Sequence, residues 1–325
     1  MKNCIAVARM VMAGLLVALA GPGAAQQDYP GKPIRFITPY APGGATDVIA
    51  RIVGQKLTES WGKPVPVENR AGGNTVIGTE VVARSAPDGY TIILVGITHV
   101  ANASLIRTSY DAIKDFATVA TVTSNETVLV IHPSVPANTL QEFIALAKSK
   151  PGQLNYATSS TGGPTHLPAE LFNIVAGVKT QQIPYKGGGP AMTDLLGGQV
   201  HMIFAIPSNV VAHVKSGKIK AIVVTGETRL SALPQVPTAT EAGLSGFEGK
   251  NWYGILAPAG TPVPIINKLS AEIARILALP DVREKLLGQG MEPFYSTAEQ
   301  FAALMKTDLA KYAKVIKTAN IKMDN

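Results

Sequence analysis

Cysteine is nearly missing: Cys4 is the only one in 325 residues, and it sits in an N-terminal stretch that reads as a removable leader. Past that leader the chain has no disulfide, no thiolate metal ligand and no cysteine nucleophile. The histidines are few and scattered (His99, His132, His166, His201 and His213), with no i, i+4 pair to suggest zinc. No G-x-G-x-x-G fingerprint, P-loop or G-x-S-x-G elbow occurs. Ser60-Trp61-Gly62-Lys63 matches S-x-x-K alone, at the end of an amphipathic helix pattern and without partner motifs, so it reads as chance. No catalytic set, cofactor site or metal site is expected.

Long apolar runs are also scarce. The one near the start, Met10 to Ala20, is too short to span a membrane, which takes about 20 residues. It follows Lys2 and Arg9 and precedes Gly21-Pro22-Gly23-Ala24-Ala25, where Gly23 and Ala25 suit the −3 and −1 positions of a signal peptidase site. Residues 1–25 are therefore expected to be a cleaved signal peptide, which places the protein in a bacterial periplasm. Nor is there a strong excess of charge: removing Lys2 and Arg9 leaves 27 basic against 22 acidic residues. Lysines gather only towards the C-terminus (Lys306, Lys311, Lys314, Lys317, Lys322), where a solvated helix face accounts for them; no nucleic-acid partner is expected.

What the chain does have is glycine-rich turns between strands and helices. Ile34 to Thr38 reads as a strand, Pro39-Tyr40-Ala41-Pro42-Gly43-Gly44 as a turn, and Thr46 to Ser60 as a helix with an apolar face at Val48, Ile49, Ile52, Val53 and Leu57. Thr46 or Asp47 is the expected N-cap. Ala71-Gly72-Gly73-Asn74 and Ser159 to Thr165 are similar turns, and Lys186-Gly187-Gly188-Gly189-Pro190 opens another helix. One such turn is ordinarily a tight connection. Several together suggest a shared anion site, because a turn leading into a helix leaves backbone N–H groups unbonded.

Strand and helix patterns alternate throughout, which predicts an α/β architecture with largely parallel sheets. Leu140 to Thr225 forms a complete α/β unit, whereas the flanking parts make another only if the C-terminal part returns to the N-terminal one. Two α/β lobes joined by two crossing strands follow, with crossings near Thr121–Thr127 and Lys250–Tyr253. Residues 26–124 and 253–325 are expected to form the first lobe and 125–252 the second. A ligand is expected between them, at strand C-terminal ends.

The sequence resembles the substrate-binding proteins of tripartite tricarboxylate transporters, the Bug-type periplasmic receptors. The resemblance covers essentially the whole chain past the leader. It rests on Tyr29-Pro30-Gly31-Lys32-Pro33-Ile34-Arg35, Pro39 to Asp47, Val67-Glu68-Asn69-Arg70-Ala71-Gly72-Gly73-Asn74 and Pro87-Asp88-Gly89-Tyr90-Thr91. Pro184-Tyr185-Lys186-Gly187, Thr193 to Gly198, Pro237-Thr238 with Glu241-Ala242-Gly243, and Trp252-Tyr253-Gly254 through Ala257-Pro258 complete it. It implies a two-lobed periplasmic-binding-protein fold (Venus-flytrap, type II-like). It also implies a small organic carboxylate held by backbone amides, small hydroxyls and water.

Carried onto this sequence, the implied ligand-binding residues are Tyr40, Ala41, Gly43, Gly44, Asp47 and Thr98 in the first lobe. In the second they are Ser159, Thr161, Thr165, Tyr185, Lys186, Gly187 and Gly188. The family usually reads Ser-Gly-x-Gly-Ser before its His-Leu pair; here Ser159-Ser160-Thr161-Gly162-Gly163 puts glycine at the second serine. The usual Asn-Pro step near Ala103-Ser104 is also missing. The resemblance thus carries an acid class, with aromatic acids, dicarboxylates, tricarboxylates and amino acids all open. The implied protein is a monomer that serves membrane transporter subunits. A receptor feeding a sensor kinase and a secreted α/β hydrolase are the competing readings. N-terminal sequencing of the exported protein should begin at Gln26; an uncut Met1 would overturn the leader assignment.

Overall fold

The computed structural model describes residues 29–185, 187–247 and 250–323. The leader and Lys186 lie outside the described residues.

The first sheet is built around the apolar strands β1 (Arg35–Thr38) and β3 (Thr91–Gly96), with the short β2 (Val67–Asn69) at its edge. β3 is buried along its whole length, as its unbroken Thr-Ile-Ile-Leu-Val-Gly run requires. The helices α1 (Ala45–Trp61), α2 (Val76–Ala83) and α3 (Thr98–Leu105) follow these strands in turn. The long strand β4 (Phe116–Asn125) and the later β10 (Asn251–Pro258) and β11 (Glu292–Pro293) complete the order β11-β4-β10-β3-β1-β2.

The second sheet runs β7-β6-β8-β5-β9. Its strands are β5 (Val128–Ile131), β6 (Asn155–Thr158), β7 (Gln181–Pro184), β8 (Met202–Ala205) and β9 (Lys220–Val224). Between them lie α4 (Leu140–Ser149), α5 (Leu167–Ala176), α6 (Gly188–Leu196) and α7 (Pro207–Lys215). After β10 come α8 (Val263–Ala278), α9 (Pro280–Gly288) and α10 (Ala298–Thr318).

The sheets are mixed, which corrects the expectation of largely parallel ones. β1 pairs in parallel with β2 and β3, and β6 with β7 and β8. β10 runs antiparallel to both β3 and β4, and β5 antiparallel to both β8 and β9. Crossing causes the reversal. The chain leaves the first sheet along β4 and enters the second directly as β5; it returns from β9 to β10. Within each sheet the outgoing and returning strands must therefore run in opposite directions.

The helix α3 and the two-residue β11 were absent from the sequence reading, and of β4 only the crossing near Thr121–Thr127 was expected. The helix α3, Thr-His-Val-Ala-Asn-Ala-Ser-Leu, has β-branched residues at its start and no capping side chain, so its pattern is weak. β4 carries alternate Thr and Val or Ala, and its Thr121 and Thr123 are fully buried.

The last helix ties the two lobes together. α10 begins with a capping box formed by Thr297 and Gln300 and packs against both α3 and α5. It is also fixed to the returning strand. The Trp252 indole N–H donates to Asp308 at 2.7 Å, and Phe301 meets the Trp252 ring edge-on at 5.0 Å. Phe301 fills the space above Gly254: a Cβ there would lie 2.3 Å from the Phe301 ring and 3.1 Å from the Ala120 carbonyl. Phe301 is fully buried and has nowhere to go. Gly254→Ala should therefore cost about 1–3 kcal/mol, the usual penalty for overpacking. Urea denaturation measures this, and an unchanged midpoint would show that the strand and helix can separate.

Candidate functional site

The turns at strand ends meet in a cleft between the two sheets. A cavity of 540 Å³ there is lined from the first lobe by Tyr40, Ala41, Gly44, Asn74, Thr75 and Thr98, and from the second by Ser159, Ser160, Gly187 and Gly188. Asn251 and Tyr253 of β10 form its back. An adjoining cavity of 490 Å³ shares Gly44, Gly188 and Tyr253 with it and adds Gly43, Asn125, Ser208 and Asn209. The lobes also touch beside the cleft: a Cβ at Gly162 would lie 2.2 Å from Leu105 Cδ1, and one at Gly290 2.8 Å from Ser208 Cβ.

Four helices begin at the larger cavity. Their N-cap residues are Gly44 for α1, Thr75 for α2, Ile97 for α3 and Gly187 for α6, and all four line it. None of the four is capped by a side-chain hydrogen bond. Of the other helices, α4 and α10 are capped by Thr139 and Thr297, and α5, α7, α8 and α9 have no side-chain cap. At α1, α3 and α6 the uncapped start leaves the first N–H groups unbonded beside the positive end of the helix dipole, an arrangement that suits an anion, whereas at α2 the Val76 and Ile77 amides already bond the Gly73 and Gly72 carbonyls. No charged side chain lines either cavity among the described residues. Also among the described residues, no group of His, Cys, Asp and Glu is placed to hold a metal ion.

Side chains behind the cleft hold each turn. Neither Thr46 nor Asp47 is the N-cap; the helix starts one residue earlier, with Gly44 in that role. Asp47 reaches back instead. It accepts from the Gly43 amide at 3.0 Å, from Arg51 at 3.0 Å and from Asn69 at 3.0 Å. Asn69 also donates to the Tyr40 carbonyl at 3.1 Å. The Arg51 bond, helped by the Gly43 amide and Asn69, holds the buried Asp47 carboxyl down at about 2, well below the usual carboxylate range. On the next turn Asn74 and Thr75 both have positive φ, 51° and 79°. That conformation is costly for a β-branched residue such as Thr75. Asn102 of α3, fully buried, maintains it by donating to the Asn74 carbonyl at 2.6 Å and to Thr75 Oγ1 at 3.2 Å.

In the second lobe His166 accepts from the Gly162 amide at 3.0 Å, and burial lowers its pKa to about 4, so it is neutral at physiological pH. Thr165 bonds the Ser159 amide at 2.9 Å and the Ser159 hydroxyl at 3.0 Å. Ser160 occupies the room beside Gly163: a Cβ at Gly163 would lie 2.1 Å from Ser160 Oγ.

Of the residues expected from sequence, Tyr40, Ala41, Gly44, Thr98, Ser159, Gly187 and Gly188 line the larger cavity, and Gly43 the adjoining one. Asp47, Thr161, Thr165 and Tyr185 do not line either cavity. Asp47 and Thr165 turn inward onto their own loops. Tyr185 donates to Asp194 at 2.6 Å, and burial together with that bond pushes its hydroxyl up to about 12. Thr161 lies half-exposed on its turn. Tyr40 behaves differently: burial, and next the neighbouring Tyr253, raise its pKa and keep the phenol neutral, while hydrogen bonds with Thr98 and the Gly96 backbone hold it in place and offset part of that rise. Asn74, Thr75, Ser160, Asn251 and Tyr253 are additions. The glycine turn 71–74 and the crossing near Tyr253 were visible in the sequence, but nothing marked which side chains would face the cleft.

A family model described as "Tripartite tricarboxylate transporter family receptor" matches residues 49–321. Protein BugT of Bordetella pertussis is 35% identical over 319 residues, covering 97% of this chain and 98% of BugT. Among solved structures, MatC from Rhodopseudomonas palustris with bound malate is 33% identical with a TM-score of 0.75, covering 89% of this chain and 100% of MatC. An R. palustris protein solved with adipate is 32% identical with a TM-score of 0.78, covering 91% of this chain and 99% of that one.

Removing the Asp47 carboxylate should loosen the first turn. Asp47→Ala is expected to cost about 1–3 kcal/mol, because it leaves the Gly43 amide and Asn69 without their acceptor. The pH dependence has a definite sign. A carboxyl whose pKa is lower when folded stabilises the fold above its unfolded pKa, and that stability is lost as pH falls from about 4 towards about 2. Chemical denaturation of wild type and variant across this range should show the two converging at acid pH; a constant gap would contradict this role.

Proposed function

This chain belongs to the tripartite tricarboxylate transporter receptor family, and on that premise we propose that its cleft captures a small carboxylate in the periplasm for delivery to membrane transporter subunits. The convergence of the uncapped starts of α1, α3 and α6 on one cavity that lacks charged side chains among the described residues carries the reading. Each helix terminus contributes roughly 0.3–1 kcal/mol to a nearby anion, and more when partly buried. Several together hold a carboxylate without a guanidinium clamp. Tyr40, Ser159 and Ser160 supply further neutral donors, and water completes the shell.

The lobes are residues 26–124 with 253–325, and residues 125–252. Ligand joins the Gly44 and Gly187 turns, which belong to different lobes, and so favours the closed arrangement; the closed surface is what the membrane subunits read. The protein acts as a monomeric receptor and not as an enzyme. The relatives solved with malate and adipate support the acid class.

Melting the mature protein, shown to be folded and ligand-free, against mono-, di- and tricarboxylates tests this. An acid at 100 times its Kd should stabilise by about 2.7 kcal/mol, and the effect should vanish when its carboxylate is converted to an amide. A flat response to every acid would overturn the proposal.

A further inference from the structure

The two crossing strands meet at a pair of asparagines. Asn125 ends β4, Asn251 begins β10, and the two are register partners. Both are almost wholly buried, 2% and 3% exposed. Asn251 lines the larger cavity and Asn125 the adjoining one; Tyr253, which lines both, is hydrogen-bonded to Asn251. The side chains bond each other once, Asn251 Nδ2 donating to Asn125 Oδ1 at 2.8 Å. That leaves Asn125 Nδ2 and Asn251 Oδ1 buried without a partner.

This imbalance survives the ambiguity in assigning amide oxygen and nitrogen. Exchanging the two atoms of both amides keeps the bond between them, and still leaves one NH2 and one carbonyl oxygen unpartnered. Neither free atom is solvent-accessible as the side chains stand, so a group in the cavity meets them when the amides turn toward it, and the cost of an unpartnered buried polar group favours that turn. The complement must donate and accept. A carboxamide or a hydroxyl does both. An ionised carboxylate accepts only, and would turn a negative oxygen toward the free carbonyl.

We propose that the Asn125–Asn251 pair is a specificity subsite for a neutral group that both donates and accepts, so that the preferred ligand is a small acid carrying a carboxamide or hydroxyl at its other end. The inference rests on the carboxylate reading above: the ionised end sits at the uncapped helix starts and the neutral end at the crossing strands. Gly44 and Tyr253, shared by both cavities, connect the two positions.

Matched acids of equal length decide the matter. Titration calorimetry on the mature protein would compare succinate with succinamate and 4-hydroxybutyrate, and glutarate and adipate with their monoamides and ω-hydroxy acids. At the best-fitting length, the monoamide or hydroxy acid should bind at least about tenfold more tightly than the dicarboxylate. Which of the two wins identifies the neutral group. The double variant Asn125→Leu, Asn251→Leu removes both amides together, leaving the Tyr253 hydroxyl as the one group that loses a bond, and should bring that ratio to about one. Asn251→Asp, which supplies only acceptors, should weaken the monoamide by a similar factor while the circular dichroism spectrum is unchanged. Equal affinities in the wild type, or a preference for the dicarboxylate, would overturn this subsite and leave the carboxylate receptor standing. Failure of every acid to bind folded protein would overturn both.

Discussion

Backbone N–H groups at the start of a helix cannot bond within that helix, and something else must satisfy them. Most proteins use a serine, threonine or aspartate immediately before the helix. Here that is done at α4 and α10 alone among the described helices; of the rest, α1, α3 and α6 open onto the cleft with their first amides unbonded. The local architecture at the cleft keeps those amides available. Glycine stands at the caps of α1 and α6, and Asp47 acts from inside α1 by holding the Gly43 amide. Its charge stays behind the turn, satisfied by Arg51 and Asn69. The cleft keeps its donors without a resident carboxylate competing for them.

Sheet topology puts these helix starts together. Parallel strands followed by helices place the starts at strand C-terminal ends, and each lobe brings its own set to the same gap. The antiparallel crossing strands then set the distance between the sets. β10 is the stiffer partner in this, paired with β4 along its whole length and with β3 at Tyr253–Leu256, and pinned to α10 through Trp252, Asp308 and Phe301. Burial leaves Asp308 harder to ionise than an ordinary aspartate, with the Trp252 bond only partly offsetting the effect. A contact of this cost is retained where position matters, and Trp252 lies one residue from both Asn251 and Tyr253.

Much of this was legible in the sequence, for identifiable reasons. The turns at Pro39–Gly44 and Gly187–Gly188 announce themselves because positive φ at Gly43 and Gly187 needs glycine. Long helices such as α8 declare themselves through their apolar spacing. The helix α3 did not, although its Thr98 was expected at the site. Its evidence is tertiary: Asn102 earns its burial through bonds to a loop 27 and 28 residues away. Asp47, Thr165 and Tyr185 show the opposite failure. All are polar residues of motif segments, which is the signal used to choose them, yet their polar atoms bond their own loops and neighbouring side chains. A motif marks the turn; whether a side chain builds the turn or faces its ligand depends on rotamers that spacing does not encode.

The second-lobe turn shows how such a motif can vary without losing its shape. The pattern this sequence resembles would place a hydroxyl at 163 and glycine at 160; this chain carries Ser160 and Gly163. Ser160 Oγ stands where a side chain at 163 would have to begin, so a side chain at 163 would turn the Ser160 hydroxyl into another rotamer. Ser160 faces the cavity. The exchange therefore keeps a hydroxyl on this turn and changes the place from which it reaches the cleft. Backbone amides fix where an anion sits, and they are indifferent to sequence. The hydroxyls and amides around them, Ser160 here and the asparagines behind, are free to differ between receptors that share the same helix starts.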